Sequence, residues 1–292
     1  MTIAQERAAV SRTFRSPLVV KFGGELIEDA ERLRVVVSAM SDAARRNLPL
    51  VPLVIVHGGG KAIDAALKAA GIQKAQVEGL RITDEPTLEV VVAVLAGSVN
   101  TRLVAALNVA GVPAVGLTGA DAGCGLATPA PPHRTMDGRV VHLGRVGLPD
   151  READVRVLHA LAAEGFVPVV ASIGLARDGS LLNVNADTFA VHLAVRLGAS
   201  RLVIAGTTPG VLDAAGATVP ELDPAAVERL IGGGTATAGM VAKLRACEEA
   251  IAGGVGDVVI VDGRDREALG VVAGGGPAAT ATRVVPAVAV RG

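Results

Sequence analysis

Six short runs of β-branched and aliphatic residues, each closed by glycine or a polar turn, constrain this 292-residue chain more than any other feature. They are Leu18 to Lys21, Leu53 to His57, Ala114 to Leu117, Pro168 to Ala171, Leu202 to Ala205 and Val258 to Val261. They are continuously apolar rather than alternating, so both faces of each strand need cover, as in a parallel sheet between helical layers. The stretches Glu85 to Ala110, Arg151 to Gly165 and Ala186 to Leu197 are long and alanine-rich enough to be helices. Strand and helix alternate throughout, which predicts an α/β sandwich. A soft boundary near Ile173 to Asp178 separates two strand-helix series, giving an N-terminal lobe of residues 1–175 and a C-terminal lobe of residues 176–292.

Some segments read less clearly. Ala127 to Asp137 carries three prolines and reads as a loop, with Val140 to Val146 returning as a small hairpin. Gly232 to Gly239 reads as a Gly-rich loop before a helix from Met240. After Arg264, Gly274, Gly275, Gly276 and Pro277 interrupt any periodicity.

Composition narrows the function. Trp and Tyr are absent and Phe numbers 4, so Val, Leu, Ile and Ala must build the core and base-stacking platforms are disfavoured. With 28 Lys plus Arg against 29 Asp plus Glu, the net charge of −1 leaves no electrostatic footprint for a nucleic-acid binder. Cys124 and Cys247 are far apart and lack metal-ligand neighbours, so they read as buried small hydrophobes. The uncharged window Leu103 to Ala120 could pass for a membrane span, but Asn108, Gly111, Pro113, Gly116 and Gly119 break it. The N-terminus mixes acids and bases without an apolar core, so no secretory signal is read and a cytoplasmic protein is expected.

Four turns carry candidate chemistry. Lys21-Phe22-Gly23-Gly24 brings a lysine and two glycines to a strand end, which suits an anion held by backbone N–H groups or simply a tight turn beside a surface lysine. His57-Gly58-Gly59-Gly60 repeats the pattern, with His57 read as a strand-end hydrogen-bonding residue rather than a catalyst. Neither turn fits the dinucleotide fingerprint or the P-loop. In Asn183-Val184-Asn185-Ala186-Asp187, alternate polar side chains share one side of an extended segment entering a helix. Asp187 suits a first helical turn, and the two asparagines suit a substrate amide or carboxylate. Gly239-Met240-Val241-Ala242-Lys243 places a lysine in the first turn of a helix, where it could be a phosphate ligand or a solvated surface residue. Arg81, in Gly79-Leu80-Arg81-Ile82-Thr83-Asp84, reads either as a surface residue or, through its guanidinium fork, as a ligand for a substrate carboxylate.

Taken in order, KFGG, HGGGKAID, EGLRITD, NVNAD, GMVAK and VDGR resemble the amino-acid kinase family in its acetylglutamate-phosphorylating branch, over about Leu18 to Arg264. The resemblance implies an open αβα sandwich around a central, mainly parallel sheet. It implies N-acetyl-L-glutamate and dimerisation on the N-terminal lobe, ATP on the C-terminal lobe, Mg²⁺ as cofactor and arginine biosynthesis as the setting. Lys21 would contact the transferring phosphoryl group, Lys243 the nucleotide side, and Asp187 would pair with both. N–H groups at Gly23, Gly24, Gly58 and Gly59 would cradle the γ-phosphate and the attacking carboxylate. Arg81 and Asn183 would bind the α-carboxylate and the acetylated amine, with Asn185 lining the same site. A carboxylate acceptor is already ionised at neutral pH and needs no general base, only charge neutralisation and in-line positioning of two anions. No carboxylate cage for the metal is visible, which fits Mg²⁺ held by nucleotide phosphates and water.

Two departures from the family matter. Thr207 stands where a nucleotide-side aspartate is usual, and Leu269 to Thr282 lacks the acidic segment of arginine-inhibited members. The segment before Lys21 is also short for a ring-forming helix. These features predict a homodimer, with a higher oligomer open, weakly sensitive or insensitive to arginine. The alternatives are a kinase for carrier-linked aminoadipate or glutamate, and a non-catalytic nucleotide or amino-acid sensor.

Overall fold

The computed structural model describes residues 16–47, 51–135, 137–213, 215–233 and 238–287. β1 (Leu18–Phe22) passes through the short α1 (Gly24–Ile27) into α2 (Ala30–Asn47), and β2 (Leu53–His57) leads into α3 (Gly60–Ala69). A ribbon of β3 (Gln76–Val77) and β4 (Leu80–Arg81) precedes one long helical run: α4 (Glu85–Val92), a π-helical segment (Ala93–Val99) and α5 (Asn100–Val109). Then come β5 (Ala114–Thr118), β6 (Ala127–Pro129), β7 (His133–Arg134), β8 (Val140–Val141), β9 (Val146–Pro149) and α6 (Arg156–Ala163). β10 (Val167–Ala171), β11 (Ile173–Leu175) and β12 (Leu181–Val184) lead to α7 (Ala186–Arg196) and β13 (Arg201–Gly206). The chain ends through β14 (Glu221–Leu222), α8 (Pro224–Gly232), α9 (Ala238–Ala252), β15 (Asp257–Asp262), α10 (Arg266–Ala273) and β16 (Ala281–Val284).

The eight-stranded sheet runs β14-β16-β15-β13-β1-β2-β10-β5. The six strands anticipated above form its parallel portion, from β15 to the β5 edge, and β16 joins antiparallel to β15. β1 lies between β13 and β2, where the strand order diverges in two directions. The crevice at the carboxyl ends of strands at such a point is where open α/β sheets bind ligands.

Side-chain alternation then decides which helix each strand-end residue meets. Val20 and Phe22 of β1, with Ile55 of β2, pack in one core layer against α2, α3, α5 and α10. Val19, Val56, Leu202, Ile204 and Ile260 pack in the other against α7 and α9. Lys21 shares parity with Val19 and so turns toward α7, whereas His57 shares parity with Ile55 and turns toward α5. Burying each of these Val, Leu and Ile side chains contributes roughly 1.5–3 kcal/mol, so the two layers lock this assignment.

The structure refines several expectations. The helix expected over Arg151 to Gly165 forms only at Arg156–Ala163. Part of the proline-rich loop is sheet: β6 pairs with β9, and β7 pairs with β8 as the hairpin, so Val146 belongs to a separate four-stranded sheet, β11-β12-β9-β6. Gly232 closes α8, and residues 234–237 of the expected Gly-rich loop lie outside the described residues, as do residues 1–15. The helical run Glu85–Val109 is long and apolar enough to cross a membrane by length and composition. Val91, Leu95, Leu103 and Leu107 within it are nevertheless core residues, and the suspected window Leu103 to Ala120 breaks between α5 and β5. Both cysteines are buried free thiols, which burial pushes up to about 12.

Candidate active site

A cleft of about 270 Å³ opens at the carboxyl ends of β1 and β2 and is lined by nine of the residues anticipated above: Lys21, Gly23, Gly24, Gly58, Gly59, Arg81, Asn183, Asn185 and Asp187. Lys21 is only 7% exposed, and its Nζ lies 2.8 Å from Asp187 Oδ1 in the first turn of α7. A buried ammonium needs such a partner. The cleft draws residues from both sides of the expected lobe boundary, and β1 pairs directly with β13.

The two glycine turns touch backbone to backbone. A Cβ on Gly24 would come within 2.9 Å of Gly59 Cα, and one on Gly59 within 2.7 Å of Leu95 Cδ2, so neither position tolerates a side chain without movement. Glu28 Oε1 accepts from Ala62 N at 3.1 Å, tying α1 to the first turn of α3. The accounting of N–H groups corrects one expectation. Gly23 N donates to Ala205 O at 3.4 Å and Gly58 N to Phe22 O at 3.2 Å, so these two are spent on the backbone. The N–H groups of Gly24, Gly59 and Gly60 have no acceptor among the described residues, and the positive end of the α3 dipole lies with them.

His57 is fully buried, with Nε2 2.9 Å from Asn100 Nδ2 and Nδ1 3.0 Å from Gly58 O. Burial lowers its pKa to about 4, so the ring is neutral, accepting from Asn100 and donating to Gly58. It is a hydrogen-bonding strand end, as expected. The π-helical segment has no counterpart in the sequence reading; it brings Leu95 against Gly59 and delivers Asn100 to His57. Such segments often accompany functional sites.

On the opposite wall, Arg81 Nη2 donates to Asp64, while its Nη1 is buried without a hydrogen-bond partner among the described residues. Asn183 Nδ2 donates to Thr83 Oγ1 at 3.1 Å, and that hydroxyl donates to Arg81 O at 3.2 Å. Asn185 is partly explained by structure: its Oδ1 caps α7 by accepting from Asp187 N and Thr188 N. Asn185 also lines the cleft.

Lys243 does not line this cleft. It lies in the second turn of α9, and a Cβ on Gly206 would sit 3.1 Å from its Nζ, so it stands over the end of β13, beside β1. It forms no ion pair among the described residues. Among the described residues Asp187 is therefore paired with Lys21 and not, as expected, with both lysines. The cleft therefore gathers Lys21, Arg81 and free backbone N–H groups, with Lys243 standing apart over the end of β13; positive groups of this kind lower the repulsion between two approaching anions.

The model of the amino acid kinase family matches residues 16–262. The chain belongs to that family. Among its relatives, the acetylglutamate kinase of Acidiphilium cryptum is 41% identical over 257 residues, 85% of this chain and 83% of that protein. The acetylglutamate kinase of Novosphingobium aromaticivorans is 37% identical over 277 residues, 92% and 90% of the two chains. The N-acetylglutamate synthase of Neisseria gonorrhoeae, solved with coenzyme A and N-acetyl-glutamate, shares the fold at a TM-score of 0.78 and 24% identity, over 98% of this chain and 63% of that one. A carbamate kinase of Giardia superposes at a TM-score of 0.67 and 14% identity, over 93% and 99%.

Within this amino acid kinase fold, sequence reasoning missed Asp64, Thr83, Glu28 and Asn100. Asp64 and Thr83 sit inside the motifs HGGGKAID and EGLRITD, but their contacts reach residues that only folding brings near. At Thr207, the departure from the family, the carbonyl accepts from Arg264 Nη2 at 2.8 Å. The same guanidinium pairs with Asp262 at 2.7 Å. Burial would raise the Asp262 carboxyl, but Arg264 holds it below the usual carboxylate range.

Proposed function

We propose that this protein transfers the γ-phosphoryl group of ATP to the γ-carboxylate of N-acetyl-L-glutamate, giving N-acetyl-L-glutamyl 5-phosphate in arginine biosynthesis, the activity of an acetylglutamate kinase. The observation that carries the reading is the convergence of Lys21, Asp187, Arg81, Asn183 and the two glycine turns in one cleft. The 37–41% identity to acetylglutamate kinases over most of the chain supports it. The same relatives disfavour the carrier-linked and sensor readings.

Lys21 neutralises charge on the phosphoryl group in flight, and Asp187 fixes its ammonium. Lys243 neutralises the nucleotide side as ADP forms. The N–H groups of Gly24, Gly59 and Gly60, rather than those of Gly23 and Gly58, hold anionic oxygens. Arg81 Nη1 and Asn183 bind the non-reacting end of the acceptor, with Asn185 beside them. Among the described residues no group of three or more His, Cys, Asp or Glu side chains is placed to hold a metal ion, which is compatible with Mg²⁺ carried by ATP phosphates and water. Bound Mg²⁺ supplies further charge neutralisation on those phosphates.

Residues 1–175 supply most of the acceptor side and residues 176–292 the nucleotide side, and the protein acts in the cytoplasm as a homodimer. β5 is an edge strand of the sheet, a surface suited to a second copy. The deciding experiment measures ADP formation with acetylglutamate, glutamate, aminoadipate or no acceptor. Turnover specific to acetylglutamate is expected; equal rates with every acceptor would overturn the reading.

A further inference from the structure

Arg81 offers only part of its guanidinium to the cleft. Its side chain is 10% exposed, Nη2 is engaged by Asp64 Oδ1 and lies 3.4 Å from Gly60 O, and Nη1 is left buried and open. Asp64 lies on α3, one turn beyond the free N–H groups, and its second oxygen accepts from Lys74 Nζ at 2.6 Å. An open buried donor is costly, and a ligand oxygen would satisfy it.

We infer that Asp64 is a positioning residue for the acceptor: it fixes the edge of Arg81 that meets the substrate's non-reacting carboxylate, while Lys74 restores the positive charge Asp64 would otherwise cancel. This rests on the acceptor reading given under Proposed function. Without Asp64 the Arg81 fork can rotate about its stem, and its five donors no longer present one defined edge. With Asp64 alone, Arg81 and the carboxylate sum to zero charge, a poor attractor for an anion. Lys74 makes the trio two cations and one anion, so the wall stays cationic. Burial would raise the Asp64 carboxyl, but hydrogen bonds from Lys74 and Arg81 hold it below the usual carboxylate range, so Asp64 is ionised at neutral pH.

The test is steady-state kinetics on the full chain, with acetylglutamate and ATP varied separately and melting followed in parallel. Asp64→Asn is expected to raise KM for acetylglutamate about 10- to 100-fold, the worth of a charged hydrogen bond, with KM for ATP and kcat within about two-fold. Asp64→Glu should recover part of the loss, and Asp64→Asn combined with Arg81→Ala should be no worse than Arg81→Ala alone. An unchanged acetylglutamate KM in Asp64→Asn, an equal rise in both KM values, or additivity in the double variant would each overturn the inference. If Asp64→Asn does not fold, Lys74→Ala, at a side chain 42% exposed, replaces it: a selective rise in acetylglutamate KM supports the trio and no change overturns it. Arg81→Ala separates the two levels. An unchanged KM there removes the acceptor reading itself, whereas a raised KM beside an unaffected Asp64→Asn removes only the positioning role.

Discussion

Lys21 and Lys243 face the same side of the sheet near the ends of neighbouring strands, yet their surroundings differ. Lys21 is built into β1, is nearly inaccessible and is paired at 2.8 Å with Asp187. Lys243 projects from a helix over Gly206 and forms no ion pair among the described residues. The acceptor side is correspondingly tied by many polar contacts: Asp64 to Arg81, Thr83 to Asn183, Asn100 to His57 and Glu28 to Ala62. On the proposed nucleotide side, the Thr207 turn is held through its backbone by Arg264, and Thr208 Oγ1 is buried without a partner among the described residues. Under the proposed reading, a fixed wall suits a small acceptor that must be aligned for attack, and a lysine without an ion pair among the described residues can follow charge onto the leaving nucleotide.

The largest effects should come from the lysines themselves. Lys21→Ala and Lys243→Ala are each expected to lower kcat by about 10²–10³-fold, read in a coupled ADP assay; near-normal turnover in either would remove its role. Stability should separate the two sides next. Asp187→Asn strands a buried ammonium and should cost about 1–3 kcal/mol in denaturant unfolding, discounted for the partial exposure of Asp187, whereas Lys243→Ala should leave the midpoint unchanged. Equal losses would break the comparison.

Gly59→Ala should cost about 1–3 kcal/mol because its Cβ must displace Leu95. The pH dependence of stability gives a finer test. His57 and His192 titrate near 4 when folded, chiefly because they are buried, against 6.5 otherwise. Between those values the unfolded chain binds more protons, so the stability these histidines contribute is complete above about pH 6.5 and is lost as pH falls toward 4. Each adds a slope of about 1.4 kcal/mol per pH unit, and His57→Gln should remove one of the two. The smallest effect is expected from Thr207→Asp, which should change KM for ATP by less than about tenfold and leave that for acetylglutamate alone. A change in acetylglutamate KM instead would mean that the two sides are not separable.

Much of this site was legible because its residues sit at strand ends, where motif, turn and strand coincide in sequence. Lys21, the glycine turns, Asn183 and Asp187 all carry local signals. The bonding of their partners does not. Asp64 and Arg81 are 17 positions apart, His57 and Asn100 are 43 apart, and the buried pair Arg201 and Asp257, at 2.7 Å, is 56 apart. Nor could spacing tell which glycine N–H groups stay free, since that depends on carbonyls of neighbouring strands.

The sequence by itself determined a parallel sheet with glycine turns at its strand ends, because unbroken apolar strands have one stable environment and turns need glycine locally. The tertiary structure alone decided that Lys21 meets Asp187, that His57 turns away to Asn100, and that Arg81 offers one edge. Those outcomes depend on the order of strands in the sheet and on which layer each face buries, and both are set by packing over the whole domain.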